Sequence, residues 1–416
     1  MMSSPIKQFN LSEIPDFNKL VNGTINETNL LKLTKVETRT FNKQNYSVIR
    51  YLKDHLCLDL IPTYGLCRSI ILNSLNNVVS FAPPKSIPSD RFIQMYPDKN
   101  ENLIAQEFVE GTMINVFWDQ TIGLTGGWEI STRNTVGATS SFFKGSHQKT
   151  FRDMFLEAAK DENLILDQLN RDFCYSFVLQ HPNNRIVVPF KKAVLYLVAL
   201  YHITTEDENT FVKSLPIQDV KNFNWGTYTT IKFPQIYEWS TYSQLIETYA
   251  SMNTSYDIVG VVVYNNLTGE RMKIRNPVYE QVRNLRGNQP KLQYQYLCLR
   301  KEGRVSDFLK FYPENKKEFS SFRDQVHLFT NTLYSNYISC YIKKEKPLRE
   351  FSDQYRTHMF NIHKIYTDEL REKKLFVNNT VVIQYVNNLH PSLLMYCLNF
   401  NMRKRNIDMI IADANI

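Results

Sequence analysis

The residues with the clearest chemical potential lie in the stretch Glu107-Phe108-Val109-Glu110-Gly111-Thr112-Met113-Ile114-Asn115-Val116-Phe117-Trp118-Asp119. Glu110-Gly111 is an acid-glycine pair entering an alternating strand, and a glycine there lets a backbone approach a ligand closely. A solvent-facing turn acid is the other use of the same pair. Lys273 and Arg275 stand two apart in a strand pattern, so their side chains share one face. Cations in that arrangement contact phosphate or an RNA backbone, or simply form a solvated strand face. Arg68 stands just before an apolar run, Arg133 ends another, and Arg185, in a His-Pro-Asn-Asn-Arg turn, either points into a cleft or braces that turn. His358 and His363 are five apart, which does not put them on one helical face for a metal, and they read as polar helix residues. Arg403-Lys404-Arg405 reads as a solvated helix end.

Other chemistries find no support. Catalytic-triad, P-loop and Rossmann signatures are absent. The six cysteines (Cys57, Cys67, Cys174, Cys298, Cys340 and Cys397) include no Cys-x-x-Cys pair, which argues against zinc-ribbon and redox motifs and for reduced, mostly buried thiols. No metal site is expected. Lys+Arg 49 against Asp+Glu 41 gives a mild excess of +8, which permits a nucleic-acid partner without demanding one. The first residues have no apolar signal region, and no apolar run is long enough to span a bilayer. The expectation is an intracellular, cytoplasmic protein with no membrane partner, compatible with virion association.

The elements that would position these residues follow from periodicity. Residues 1–60 read as a partly helical lead-in, with a short helix from Tyr46 to Leu60. Ser69–Leu72 and Val78–Phe81 form a hairpin closed by Pro83-Pro84. Strands are expected over 103–118, 128–133, 173–188, 193–203, 258–264 and 272–275, with a helix over 151–169 and a polar loop over 204–215. From 291 the apolar spacing is helical. The chain is therefore expected to be α+β, with antiparallel sheets flanked by helices over 61–290 and an all-helical C-terminal domain over 291–416.

Four stretches carry a resemblance. Gly65-Leu66-Cys67-Arg68-Ser69-Ile70 with Ser80-Phe81-Ala82-Pro83-Pro84-Lys85, then Phe108-Val109-Glu110-Gly111-Thr112, then Phe177–Val188, then Val259-Gly260-Val261-Val262 with Lys273-Ile274-Arg275, occur in the order of motifs in the covalent nucleotidyltransferases. Over 65–290 the chain resembles the RNA ligases of the T-even phage tRNA-repair type, as a divergent member of the kind found in large DNA viruses. That resemblance implies the nucleotidyltransferase fold. It also implies ATP as the substrate, a motif lysine that becomes nucleotidylated, carboxylates that hold magnesium, and lysines on the last motif strand that contact the transferred phosphate.

The sequence departs from that pattern where the chemistry is most demanding. The lysine position is Phe108, and the two acid positions are Val178 and Val259. Asp257, two residues before Val259, is placed to stand in for the last acid if the strand extends that far. Each lost position now holds an apolar side chain, which disfavours ions. The expectation is a degenerate ligase-like protein that binds RNA, a nucleotide or a protein assembly or serves as a structural subunit, with Glu110, Gly111, Arg68, Arg133, Arg185, Lys273 and Arg275 as the retained nucleotide- or phosphate-binding set. The alternative is an active ligase, using ATP and magnesium, with a displaced lysine: Lys85, Lys99 or Lys144.

Overall fold

The computed structural model describes residues 7–22, 32–142, 149–221, 223, 225 and 229–403. They divide into two compact units, residues 1–283 and 284–416. Among the described residues the first unit carries β1 (Gln8–Asn10), β2 (Thr34–Phe41), β3 (Gln44–Tyr51), β4 (Ile70–Leu72), β5 (Val78–Phe81), β6 (Leu103–Glu107) and β7 (Thr112–Asp119). It continues with β8 (Gly127–Ser131), β9 (Phe173–Gln180), β10 (Val194–Glu206), β11 (Asn209–Leu215), β12 (Ile236–Tyr237), β13 (Gly260–Asn265) and β14 (Arg271–Arg275). They form three antiparallel sheets, in the orders β1-β11-β10-β9-β7-β8, β12-β6-β13-β14 and β2-β3-β4-β5. The α+β class expected from the sequence, with antiparallel sheets, flanking helices and a helical C-terminal region, is the architecture observed.

The six-stranded sheet is covered on one face by the helix Phe151–Asp161. Thr150 and Asp153 close its first turn as a capping box. Its apolar face, Met154, Phe155, Ala158 and Ala159, packs on Tyr175, Phe177, Leu179, Leu195 and Leu197. Burying a residue such as Phe155 contributes about 1.5–3 kcal/mol. On the other face Tyr46, Val48, Ile49, Ile70 and Phe81 from the β2–β5 sheet pack against Phe117, Cys174 and Tyr201. Asp119 ties that junction, accepting from Tyr46 Oη at 2.9 Å and Asn73 Nδ2 at 2.9 Å. The β12-β6-β13-β14 sheet has its own core, where Leu103, Ala105, Val261, Val263 and Met272 meet Phe92, Trp239, Tyr242 and Leu245.

Four local expectations are corrected. Tyr46–Tyr51 is strand, and residues 53–55 and 58–60 are short 3-10 turns, so no helix runs from 46 to 60. Within the expected lead-in, β1 pairs with β11 and β2 with β3, so strands accompany the short helix Phe17–Val21. The expected polar loop at 204–215 is largely β11. Thr210 and Val212 are buried on one face while Lys213 is exposed, a half-solvated alternation that polar composition disguised. The strand expected to reach Val188 stops at Gln180, because Pro182 opens a 3-10 turn.

In the second unit the helices Leu292–Lys301, Val305–Phe311, Lys316–Tyr337, Asp353–Ile365, Asn379–Asn388 and Pro391–Leu398 enclose a separate core that includes Phe308, Val326, Leu333, Met359, Ile362, Val382 and Val386. No helix among the described residues is long and apolar enough to cross a membrane.

Candidate functional site

The chain passes from one sheet to the next through Phe108-Val109-Glu110-Gly111, between β6 and β7. Gly111 has φ +147°, and a Cβ there would lie 2.4 Å from the Leu179 carbonyl oxygen and 2.7 Å from Val178 Cγ1. The glycine is therefore required by a close crossing over β9. Glu110 is buried, and its carboxylate accepts from the backbone N–H of Val187 at 2.8 Å and of Val188 at 3.1 Å. Tyr279 also donates to it, and Arg185 lies close enough to attract it. Burial raises its pKa, and these hydrogen bonds oppose the rise. Glu110 is not a solvent-facing turn acid: its oxygens hold the 187–188 backbone.

Phe108 donates its N–H to the Gly260 carbonyl at 3.4 Å, which continues the β6–β13 pairing. Two cations lie over its ring, Lys273 Nζ at 4.8 Å and the Arg275 guanidinium at 5.2 Å from the centroid. Arg275 is exposed and bonds Glu280 at 2.6 Å. Lys273 is half-buried, and among the described residues no carboxylate pairs with it. Burial, then the charges of Arg271, Arg68, Arg275 and Lys85, pull its pKa down to about 6.

Those neighbours gather on one piece of backbone. The Pro83 carbonyl accepts from both Arg68 Nη1, at 3.3 Å, and Arg271 Nη2, at 3.2 Å, and the Pro84 carbonyl accepts from Arg271 at 2.6 Å. Burial lowers Arg271 to about 10 and lowers Arg68 and Lys85 as well, with neighbouring cations adding to each. Arg271 Nε is buried without a partner. Arg133 joins from the rim, its Nε on the Arg68 carbonyl at 3.5 Å and its guanidinium 5.1 Å from the Tyr51 ring. Arg275 is paired with Glu280, but no carboxylate is ion-paired with Arg68, Lys85 or Arg271 among the described residues, the electrostatic form of an anion site.

The structure thus brings Lys273 and Arg275 onto Phe108, with Arg68, Arg271 and Lys85 close enough to act on the charge of Lys273 and Arg133 against Arg68. Arg271 was missed, although Arg271-Met272-Lys273-Ile274-Arg275 alternates basic and apolar residues and period two alone assigns all three cations to one face. Glu110 and Arg185 meet instead on the 187–188 segment. Arg185 Nε donates to the Val187 carbonyl at 2.9 Å, bracing the segment that Glu110 holds. Val178 and Val259 are buried. Asp257 lies in an exposed turn before β13, which starts at Gly260, so it shares no strand face with Val259. Lys99 donates to the Trp239 carbonyl at 2.5 Å and lies 5.7 Å from that ring, within the other face of its sheet. Lys144 and the Lys404-Arg405 part of the basic cluster lie outside the described residues.

The donor set does not suit a divalent metal. Among the described residues no group of three His, Cys, Asp or Glu is placed to hold one. It does suit phosphate oxygens, through guanidinium and ammonium donors. His358 differs from its sequence reading: it is buried, with Nδ1 2.8 Å from Tyr385 Oη and Nε2 3.1 Å from Cys397 Sγ, while His363 stacks on Tyr341. All six cysteines are free, three of them buried.

This chain is similar to RNA ligases. It is 23% identical over 290 residues to an RNA ligase of Rhodothermus phage RM378, a match covering 62% of this chain and 64% of that protein, so the chain spans less than two thirds of that relative. It is 22% identical over 346 residues to the immediate-early protein ICP-46 homolog of Invertebrate iridescent virus 6, covering 74% of this chain and 72% of that one. Among solved structures, a Naegleria gruberi RNA ligase with ATP and Mn matches 67% of this chain and 84% of its own at 15% identity and TM-score 0.33. An archaeal ATP-dependent RNA ligase matches 70% and 67% at 12% identity and TM-score 0.34. No protein-family model matches the chain.

Proposed function

We propose that this is a ligase-like protein whose cleft binds the phosphates of a nucleotide or of an RNA end and has lost the metal-assisted ligation chemistry of its relatives. The observation that carries the reading is the cluster of Arg68, Lys85 and Arg271 on the 83–86 backbone, none of them ion-paired with a carboxylate among the described residues. A cleft that had become a packed core would not retain several half-buried cations, because each costs desolvation energy unless an anion joins it. The apolar Phe108, Val178 and Val259 support the loss of ligation, since the first offers no amine and the other two no oxygen ligands.

The test is titration of the purified protein with ATP and with a 5′-phosphorylated oligoribonucleotide, at several salt concentrations. Binding that weakens steeply with salt is expected. Arg68→Gln, which removes one charge-assisted donor, is expected to weaken it about 10–100-fold, because such a bond contributes about 1.5–3 kcal/mol. Joining of nicked or single-stranded RNA ends is expected to be absent. Binding of neither ligand, or binding indifferent to salt and to Arg68→Gln, would overturn the proposal.

A further inference from the structure

We infer that the first unit carries a second binding site, a cavity walled by Phe173, Tyr175, Phe223 and Trp225 that takes an unpaired base of a single-stranded nucleic acid. The site lies apart from the cationic cleft and does not rest on the phosphate-binding reading above.

β9 separates the two places. Its residues alternate, so Phe173, Tyr175 and Phe177 lie on the face that the helix Phe151–Asp161 covers, and Cys174 lies on the other. Tyr201 shares the core of Cys174 and is the neighbour of Arg68 and Arg271. The cationic cluster and the aromatic cavity therefore sit on opposite faces of one sheet. The cavity holds about 350 Å³, bounded by the four rings with Gln168, Leu169 and Asn170. That is within the size range of small-ligand sites, about 300–1,000 Å³. Its walls are set in advance. Trp225 Nε1 donates to the Val220 carbonyl at 2.8 Å, and Tyr175 Oη donates to the Asn170 carbonyl at 3.0 Å. Phe223 stacks on Phe173 and on Trp225, with centroids 6.1 Å and 6.4 Å apart, and the Tyr175 ring stands at 74° to Trp225. Phe223 nonetheless keeps 37% of its surface in solvent.

Three observations select the occupant. The walls are flat π-faces, on which any base stacks. No carboxylate lines the cavity, so a quaternary ammonium, the other ligand of aromatic walls, finds no counter-charge there. The exposed amides of Gln168 and Asn170 instead offer donors and acceptors to the edge of a base. Cations flank the rings on both sides. The Arg171 guanidinium lies 4.0 Å from the Trp118 ring, which continues through Trp128 to Tyr175. Lys221 Nζ lies 5.9 Å from the Phe233 ring, which meets Trp225. Stacking rings bordered by positive charge are the combination that holds a single strand by its bases and its phosphates.

The experiment titrates the full chain with a short 5′-hydroxyl oligoadenylate, following tryptophan fluorescence and, with a labelled strand, anisotropy. Saturable quenching is expected, and most of it should vanish in Trp225→Phe while binding persists. Phe223→Ala should weaken binding about tenfold, the usual effect of losing one stacked ring. Arg171 is exposed, so Arg171→Gln tests the site without disturbing the core; it should weaken binding and flatten its salt dependence. Duplex RNA, whose bases are not free to stack, should bind more weakly. Oligodeoxyadenylate run in parallel tells an RNA from a DNA strand, and binding of either sustains the inference. Absence of binding, or equal affinity in the wild type, Phe223→Ala and Arg171→Gln, would overturn it. So would equal affinity for duplex and single strand, or quenching by tetramethylammonium alone, which marks a cation cage. Displacement of the strand by ATP would place it in the cleft and overturn this inference while sustaining the proposed function.

Discussion

Glu110 shows how an acid beside a glycine can be tied to distant backbone. The Glu110-Gly111 pair was legible as special, and Gly111 is indeed fixed by a close crossing. The role of the acid was not legible, because its partners, the N–H groups of Val187 and Val188, lie 77 and 78 residues away. Glu110→Ala would leave both donors buried and unpaired, at about 1–3 kcal/mol each, so urea unfolding is expected to show a loss of about 2–4 kcal/mol. ATP affinity per folded molecule should change less than twofold. A tenfold loss of affinity at unchanged stability would return Glu110 to the ligand site. Phe108 was legible for the opposite reason: a missing amine is visible in one letter. What the letter did not reveal is that Lys273 and Arg275 lie on its ring, a contact made by cross-strand pairing rather than by proximity in the chain.

At the scale of elements, the strongly apolar strands β7, β9, β10 and β13 were readable, because strands buried on both faces give continuous hydrophobic runs. β2, β3 and β11 were not, because Thr34-Lys35-Val36-Glu37-Thr38-Arg39 and its like keep one face in water and mix charge with β-branched residues. The element on which the candidate site depends is β14. It is held against β13 through Gly260, whose φ is +132° and where a Cβ would lie 2.1 Å from the Ile274 carbonyl oxygen. That contact is with backbone and cannot be relieved by a rotamer change, so Gly260→Ala must push the two strands apart. Thermal unfolding is expected to register a loss of about 3 kcal/mol, at the upper end for overpacking. ATP binding should fall with it, because Arg271 and Lys273 move with the strand. Unchanged melting and unchanged binding together would show that β14 does not set the geometry of the cationic cluster.

At the scale of the whole chain, the change from strand to helical periodicity near 291 was visible in the sequence, while the contacts of the fold divide the chain at 283/284. The difference has a local cause. The helix Pro277–Arg286 begins in the first unit and ends in the second, and it stops at Gly287, whose φ of +61° is a left-handed cap. Gln295 then donates to the Leu285 carbonyl at 2.7 Å, joining that helix end to the next helix, which a reading of periodicity does not anticipate. The helical unit nonetheless owns a core of fully buried side chains, among them Phe308, Val326, Leu333, Met359, Ile362, Val382 and Val386. A chain with its own core of that kind meets the physical requirement for folding alone. Separation within the 287–291 turn keeps the helix Pro277–Arg286 whole. The fragment beginning at Asn288 is expected to show a helical circular-dichroism spectrum and a single cooperative thermal transition. The fragment ending at Gly287 is expected to keep ATP binding within about threefold of the full chain, since Arg68, Lys85, Arg271 and Lys273 all lie within it and a threefold change is only ~0.7 kcal/mol. A C-terminal fragment that melts without cooperativity, or an N-terminal fragment that is folded but no longer binds ATP, would show that the two units are not independent in stability or in function.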